Sequence, residues 1–250
     1  MRTALERAAA FVVAQGDPLA RHRAEAAAGI ASAKPAVALL EALAETSGSE
    51  LRVLAICDDL PARGAAVVLR AASALAKRQA PDGSWSEGGE GLDARLQATG
   101  MIAGYLAKTR SVRPDTLAAA GDFLAAHWSP ERVQEFQWHN LAAYAHYFAN
   151  APHDAADEIL HWCGRELERG FRTRAFDAVR TARILVYCDA HSLPGARFES
   201  GELLVALVTE QRDDGSFASA DGAGSVEETL DGLVALARLG GVALRPELAI

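Results

Sequence analysis

Cysteine is scarce in this chain. Cys57, Cys163 and Cys188 are the only three among 250 residues, and no two are spaced as a Cys-x-x-Cys pair. An odd, scattered set excludes a disulfide framework and fits reduced thiols. Basic residues are the minority, with 25 Lys and Arg against 33 Asp and Glu and a net charge of -8. That balance excludes a general nucleic-acid binder, which needs a basic face. No apolar run approaches the ~18 residues of a membrane-spanning helix, so only a peripheral contact through an exposed apolar helix stays open. No cleavage-like stretch follows Met1-Arg-Thr-Ala-Leu-Glu-Arg. A signal peptide is therefore not expected, and a cytoplasmic location is. Aromatics make up only 6% of the residues, and no segment alternates as a strand would.

What is present is apolar helical sequence. Half of the residues are hydrophobic, enough for a sizeable core without disulfides or metals. Glycine and proline divide the chain into paired segments: 2–15 with 18–31, 34–46 with 50–60, and 64–79 with 92–108. The later pairs are 115–128 with 132–149, 154–169 with 174–190, and 199–211 with 226–239. Val226, Leu230, Leu233, Leu236 and Leu239 show the helical period most clearly. Four second helices align on a short polar residue, namely Thr99, Asn140, Thr181 and Thr229, at intervals of 41, 41 and 48. That period predicts a repeat architecture within one all-α domain over 1–250, either a closed ring or an open solenoid.

Two segments carry a sharper signal. Leu75-Ala-Lys-Arg-Gln79-Ala-Pro-Asp82-Gly83-Ser84-Trp85 and Leu207-Val-Thr-Glu-Gln211-Arg-Asp-Asp214-Gly215-Ser216-Phe217 both read Leu-x3-Gln-x3-Gly-x-aromatic. Each ends an apolar helical run. Glycine supplies backbone freedom for a tight turn, and glutamine bonds exposed backbone groups at a helix end. The motif resembles the QW repeat of squalene-hopene cyclases, within the terpenoid-cyclase and protein-prenyltransferase superfamily. The resemblance implies an α/α toroid of about six helical hairpins, with the QW turns leading from outer to inner helices. It also implies a ligand cavity lined by the N-terminal halves of the inner helices.

Carrying that location onto this chain selects Asp93, Arg95 and Gln97; Glu135, Gln137 and His139; Asp177 and Arg180; and Glu227, Glu228 and Asp231. Each is equally an acid or polar residue favoured at a helix start by the dipole. The family's class II cyclases use Asp-x-Asp-Asp-Thr-Ala, whose middle aspartic acid protonates an alkene or epoxide. Here Asp177-Ala-Val-Arg-Thr181-Ala keeps the first aspartate and the threonine but has Val179 and Arg180 at the acid positions. Ser225-Val-Glu227-Glu228-Thr229-Leu has acids at both. The catalytic candidates are therefore Asp177, Glu227, Glu228 and His139. Arg174 and Arg180 would bind an anionic end, and Trp138, Phe136, Asp93, Gln97 and Asp231 would line the substrate.

The prenyltransferases' Asp-x-Cys zinc pair and the complement-type thioester motif are both missing. Cys188 and His191 are the nearest metal-like pair. His139 and His146 stand about 10 Å apart along one helix, too far to share an ion. No resident metal or cofactor is expected, with Mg2+ entering only alongside a diphosphate substrate. Arg165, Arg169, Arg172, Arg174, Arg180 and Arg183 outnumber Glu166, Glu168 and Asp177 locally, which suits a phosphate or carboxylate ligand or a set of ion pairs. Phe123, Trp128, Phe136, Trp138, Tyr144, Tyr147 and Phe148 concentrate aromatics in one hairpin, as π faces for a cation or as plain packing. The few aromatics elsewhere speak against a large polycyclising cavity.

The expectation is thus a divergent terpenoid-cyclase-like enzyme that starts cyclisation of a prenyl or prenylated small molecule with an acid. Its rivals are a non-catalytic toroid binding an apolar ligand or a partner, and a toroid repurposed for other acid/base chemistry on a natural-product intermediate.

Overall fold

The computed structural model describes residues 1–46, 48–86, 91–134, 137–218 and 222–241. Among them are twelve α-helices, one short 3-10 turn and a single pair of two-residue strands. The odd-numbered helices are α1 (Arg2–Gln15), α3 (Lys34–Leu43), α5 (Ala66–Lys77), α7 (Pro114–Ala126), α9 (Ala156–Arg172) and α11 (Ser200–Glu210). The even-numbered ones are α2 (Pro18–Ala27), α4 (Glu50–Asp59), α6 (Leu92–Thr109), α8 (Trp138–Asn150), α10 (Ala178–Tyr187) and α12 (Val226–Leu239). Each paired segment read from the sequence matches one helix, with α6, α7 and α8 overrunning theirs by one residue and α9 by three.

Two boundaries differ for identifiable reasons. The segment 132–149 becomes helical only at Trp138, because Pro130–Arg132 forms a separate 3-10 turn. The segment 174–190 begins at Ala178, because Arg174 has a left-handed backbone (φ 58°) and Asp177 caps the helix by accepting from the Arg180 amide at 2.7 Å. The short strands Phe217–Ala218 and Gly224–Ser225, which pair antiparallel just before α12, were not anticipated. Two residues per strand are too few to show alternation.

Burial separates the helices into two sets. Asn140 to Phe148 of α8 are all buried, as are Ala178, Val179 and Thr181 to Val186 of α10 and most of α12. By contrast α11 buries only Leu203 and Leu207, and α3 only Ala36 and Leu40. The even set therefore forms the interior, and the odd set covers it with one apolar stripe each.

Inside the even set, α6 lies hard against α8. Cβ atoms on Gly100 and Gly104 would collide with Ala143 and with the ring of His146. Trp138 donates to the Arg180 carbonyl (3.1 Å), and Asn150 donates to that of Tyr187 (3.0 Å). Arg183 faces Asp231 (3.4 Å), and Asp189 faces Arg238 (3.0 Å). In each pairing residue numbers rise together, so α6, α8, α10 and α12 run parallel. Helix α12 also packs on α1 and α2, bringing the last described helix against the first two.

The two Leu-x3-Gln-x3-Gly-x-aromatic segments make the same turn. Gln79 donates to the Gly83 carbonyl (2.9 Å) and to that of Thr116 in α7 (2.8 Å). Gln211 donates to the Gly215 carbonyl (2.9 Å) and to that of Ala4 in α1 (2.9 Å). Gly83 and Gly215 adopt φ of 87° and 88°, conformations open to glycine. A Cβ there would strike the backbone of Ala119 or Arg7. The Trp85 amide donates to the Thr99 hydroxyl (2.9 Å), and the Phe217 amide donates to that of Thr229 (3.0 Å). The Thr181 hydroxyl donates to the Asp177 carbonyl (2.8 Å), and Asn140 donates to that of Arg132 (3.1 Å). The four periodic polar residues are buried ties between a turn and its helix.

Candidate functional site

Because α6, α8, α10 and α12 run parallel, their N-terminal ends gather at one side of the interior. Most sequence candidates lie there. Asp93 pairs with Arg132 at 2.7 Å and is largely exposed. Gln97 donates to Asn140 at 2.9 Å, linking α6 to α8. Trp138 is half-buried and His139 exposed beside it, with ring centroids 5.2 Å apart. Arg174 is exposed on the loop before α10. Phe136 and Glu135 lie outside the described residues.

Five acids and three arginines meet at the starts of α10 and α12. Asp177 is occupied as the cap of α10, and its carboxylate lies 3.7 Å from Arg180 Nε. Glu210 of α11 accepts the Ala178 amide at 2.7 Å, doubling that cap. Glu227 is mostly exposed and lies 3.6 Å from Arg23 of α2. Glu228, one residue on, is half-buried. Burial raises its pKa, and the neighbouring charges of Asp231, Asp177 and Glu227 add to that, with Arg180 opposing. Asp231 retains 32% of its side-chain surface and faces Arg183. Its pKa is also raised, by burial first and then by Asp59 and Glu227, against Arg183 and Arg23. Two carboxyls that hold their protons more tightly than usual thus lie one helical turn apart on α12.

Behind them lies a buried ion-pair network that the sequence reading passed over. Asp59 of α4, 3% exposed, accepts from Arg183 of α10 at 2.6 and 3.2 Å and lies 3.5 Å from Arg23 of α2. Burial opposes the charge of Arg183, but Asp59 and Asp231 outweigh it and hold the guanidinium firmly protonated. Nearer the helix C-termini, Asp58 pairs with Lys108 (3.0 Å) and Arg63, and Arg238 donates to its carbonyl. Asp189 pairs with Arg63 (2.7 Å) and Arg238 (3.0 Å). Burial works against the Asp189 charge, yet Lys108, Arg63 and Arg238 keep its pKa below the usual range. Asp58-Asp59 at the end of an apolar helix, and Arg23 among alanines, were visible signals for this network.

His146 stands in the same interior, fully buried between Tyr105 (4.4 Å, edge-on) and Tyr187 (5.2 Å, stacked). Among the described residues neither ring nitrogen has a hydrogen-bond partner. Burial, followed by the positive charges of Lys108, Arg183 and Arg63, lowers its pKa well below the ordinary value. Arg183 covers the Tyr187 ring at 4.7 Å.

Among the described residues no three His, Cys, Asp or Glu side chains group as metal ligands. Cys188 is buried, its thiol pushed up to about 12 by burial, whereas His191 is exposed, so these two do not form a site. No helix among the described residues is long and apolar enough to cross a membrane. The chain matches no family model, curated protein or solved structure.

Proposed function

We propose that the helices close into a small α/α toroid and that the chain is a divergent terpenoid-cyclase-like enzyme. It would protonate a prenyl or prenylated small molecule at the N-terminal end of the even-numbered helices. The closure reading is supported by the two glutamine turns. The Gln211 turn meets α1 as the Gln79 turn meets α7, so α1 takes the place of the next outer helix after α12.

The observation carrying the chemistry is the carboxyl pair Glu228 and Asp231, whose pKa values are raised by burial first and then by neighbouring carboxylates. A carboxyl kept protonated can deliver its proton to an alkene carbon, leaving a carbocation in the substrate and a carboxylate on the protein. Arg183, 3.4 Å from Asp231, would neutralise that carboxylate. With Asp177 engaged as a cap and Glu227 mostly exposed, 3.6 Å from Arg23, the acid role falls to Glu228 and Asp231. Arg180 and Arg174 would hold an anionic end, and Trp138 would supply an aromatic wall.

The test is incubation with geranyl, farnesyl and geranylgeranyl diphosphates and squalene, with and without Mg2+, followed by mass spectrometry of the products. A cyclised product that disappears in Glu228→Gln or Asp231→Asn supports the proposal. Product formation unchanged in both variants would sink it. A second reading is a toroid that binds an apolar ligand or partner without turnover, and its partner-binding form is favoured by the Asp59–Arg183–Arg23 network, which sets charges where an apolar cavity would otherwise lie. It predicts ligand binding that survives both substitutions, with no product from any substrate.

A further inference from the structure

The arginine-rich stretch from 165 to 183 does not act as one unit. Arg183 is buried against Asp59, Arg180 lies beside Asp177, and Arg172 pairs with Glu202 at 2.6 Å. Arg165 and Arg169 instead point from the outer helix α9 into a surface groove of about 560 Å³. Its other walls are His161, Glu168 and the segment Gly195 to Arg197.

The groove is built firmly. A Cβ on Gly164 or on Gly195 (φ 89°) would strike the backbone of Pro194 or of His161, so the 193–197 segment is seated directly on α9. Glu168 accepts the Arg197 amide at 2.9 Å, fixing the loop that carries that arginine. The Arg165 guanidinium packs over the Trp162 ring at 5.6 Å, which limits its freedom before any ligand arrives. Arg169 is held by the buried Glu166 at 2.5 Å.

The charge balance is the deciding feature. Glu166 is taken by Arg169, and Glu168 by the Arg197 amide and by Arg172 at 3.6 Å. Among the described residues, neither Arg165 nor Arg197 has a carboxylate within ion-pair distance. Two guanidinium forks facing one groove, in a protein of net charge -8, form a local positive site that an acidic surface would otherwise repel. A carboxylate has one charge and satisfies one fork, whereas a phosphate group has two charges and three oxygens for two forks.

We propose that this outer groove binds a small soluble phosphorylated ligand, with Arg165 and Arg197 clamping the phosphate and His161 donating to it. This site is separate from the carboxyl pair on α12 and does not depend on that reading.

The experiment is calorimetric titration of the full chain with inorganic pyrophosphate at low ionic strength, using acetate for comparison. Saturable pyrophosphate binding is expected, with acetate binding far more weakly. Arg165→Gln and Arg197→Gln should each weaken it by about tenfold or more, the loss of one charge-assisted pair. Arg52→Gln, on an exposed face of α4, should not. Arg165 and Arg197 are both exposed, so the variants are expected to keep wild-type circular dichroism. Absence of saturation at millimolar pyrophosphate would overturn the proposal, as would equal binding by the groove variants or binding lost only in Arg180→Gln. Binding to phosphatidate vesicles without binding to pyrophosphate would overturn it too, by assigning the groove to a lipid headgroup.

Discussion

His146 shows how strongly the surroundings of a single side chain set its chemistry. In the sequence it is one of several histidines in a cluster. In the fold both its nitrogens are without a partner among the described residues, and burial first, then the cations Lys108, Arg183 and Arg63, oppose its protonation. Its folded pKa lies below the unfolded value of about 6.5. Between those two values the unfolded chain binds a proton that the folded chain refuses, so stability is complete above about pH 6.5 and falls as pH drops below it. Urea unfolding at pH 7.5 and 5.5 should show this loss, with a limiting slope of about 1.4 kcal/mol per pH unit. His146→Leu should flatten the slope by that amount. An unchanged slope in the variant would assign the acid sensitivity to other groups. Glu228 and Asp231 have the opposite sign: their raised pKa values give stability at low pH that is lost as pH rises through them.

At the scale of elements, twelve helical segments were legible because apolar spacing and Gly/Pro punctuation are local signals. The periodic Thr99, Asn140, Thr181 and Thr229 were legible as a repeat, but their role was not. Thr99, Asn140 and Thr229 bond the backbone of the preceding turn, a relation between two elements that one helix cannot reveal, whereas Thr181 bonds back to the Asp177 cap of its own helix. The glutamines act likewise. Gln211 is buried, and its amide bridges the Gly215 turn to Ala4 of α1. Gln211→Ala removes the donor shared by the Gly215 and Ala4 carbonyls and should cost about 1–3 kcal/mol in urea unfolding. It should also speed amide exchange across Arg2–Gln15. Unaltered exchange there would show that α1 is held by packing alone. Gln79→Ala should loosen α7 in the same way, by less, because that turn is only part-buried.

For the whole molecule, the deciding interaction joins helices distant in sequence. Asp59 and Arg183 are 124 residues apart, yet they share two hydrogen bonds in the interior, and Arg23 adds a third helix. Removing one partner strands a buried charge. Asp59→Asn is therefore expected to cost about 3–5 kcal/mol, a loss readable by chemical denaturation. Adding Arg183→Met should recover much of it, because the stranded guanidinium is then gone. A double variant that loses the sum of the two single costs would show that the residues do not act as a pair.

The sequence alone determined the all-α class and the segmentation into helices, because spacing, helix breakers and turn glycines act within a few residues of one another. The candidate acids were selected by the cavity position that the QW resemblance implies, and the local preference for acids at helix starts accounts for them equally well. Only the tertiary structure decided which of them meet. The parallel course of α10 and α12 brings Asp177 and Arg180 to Glu228 and Arg183 to Asp231, and the seat of α4 places Asp59 behind them. Burial and Coulomb interaction act through space, and no spacing along the chain specifies which distant charge will lie a few ångströms away.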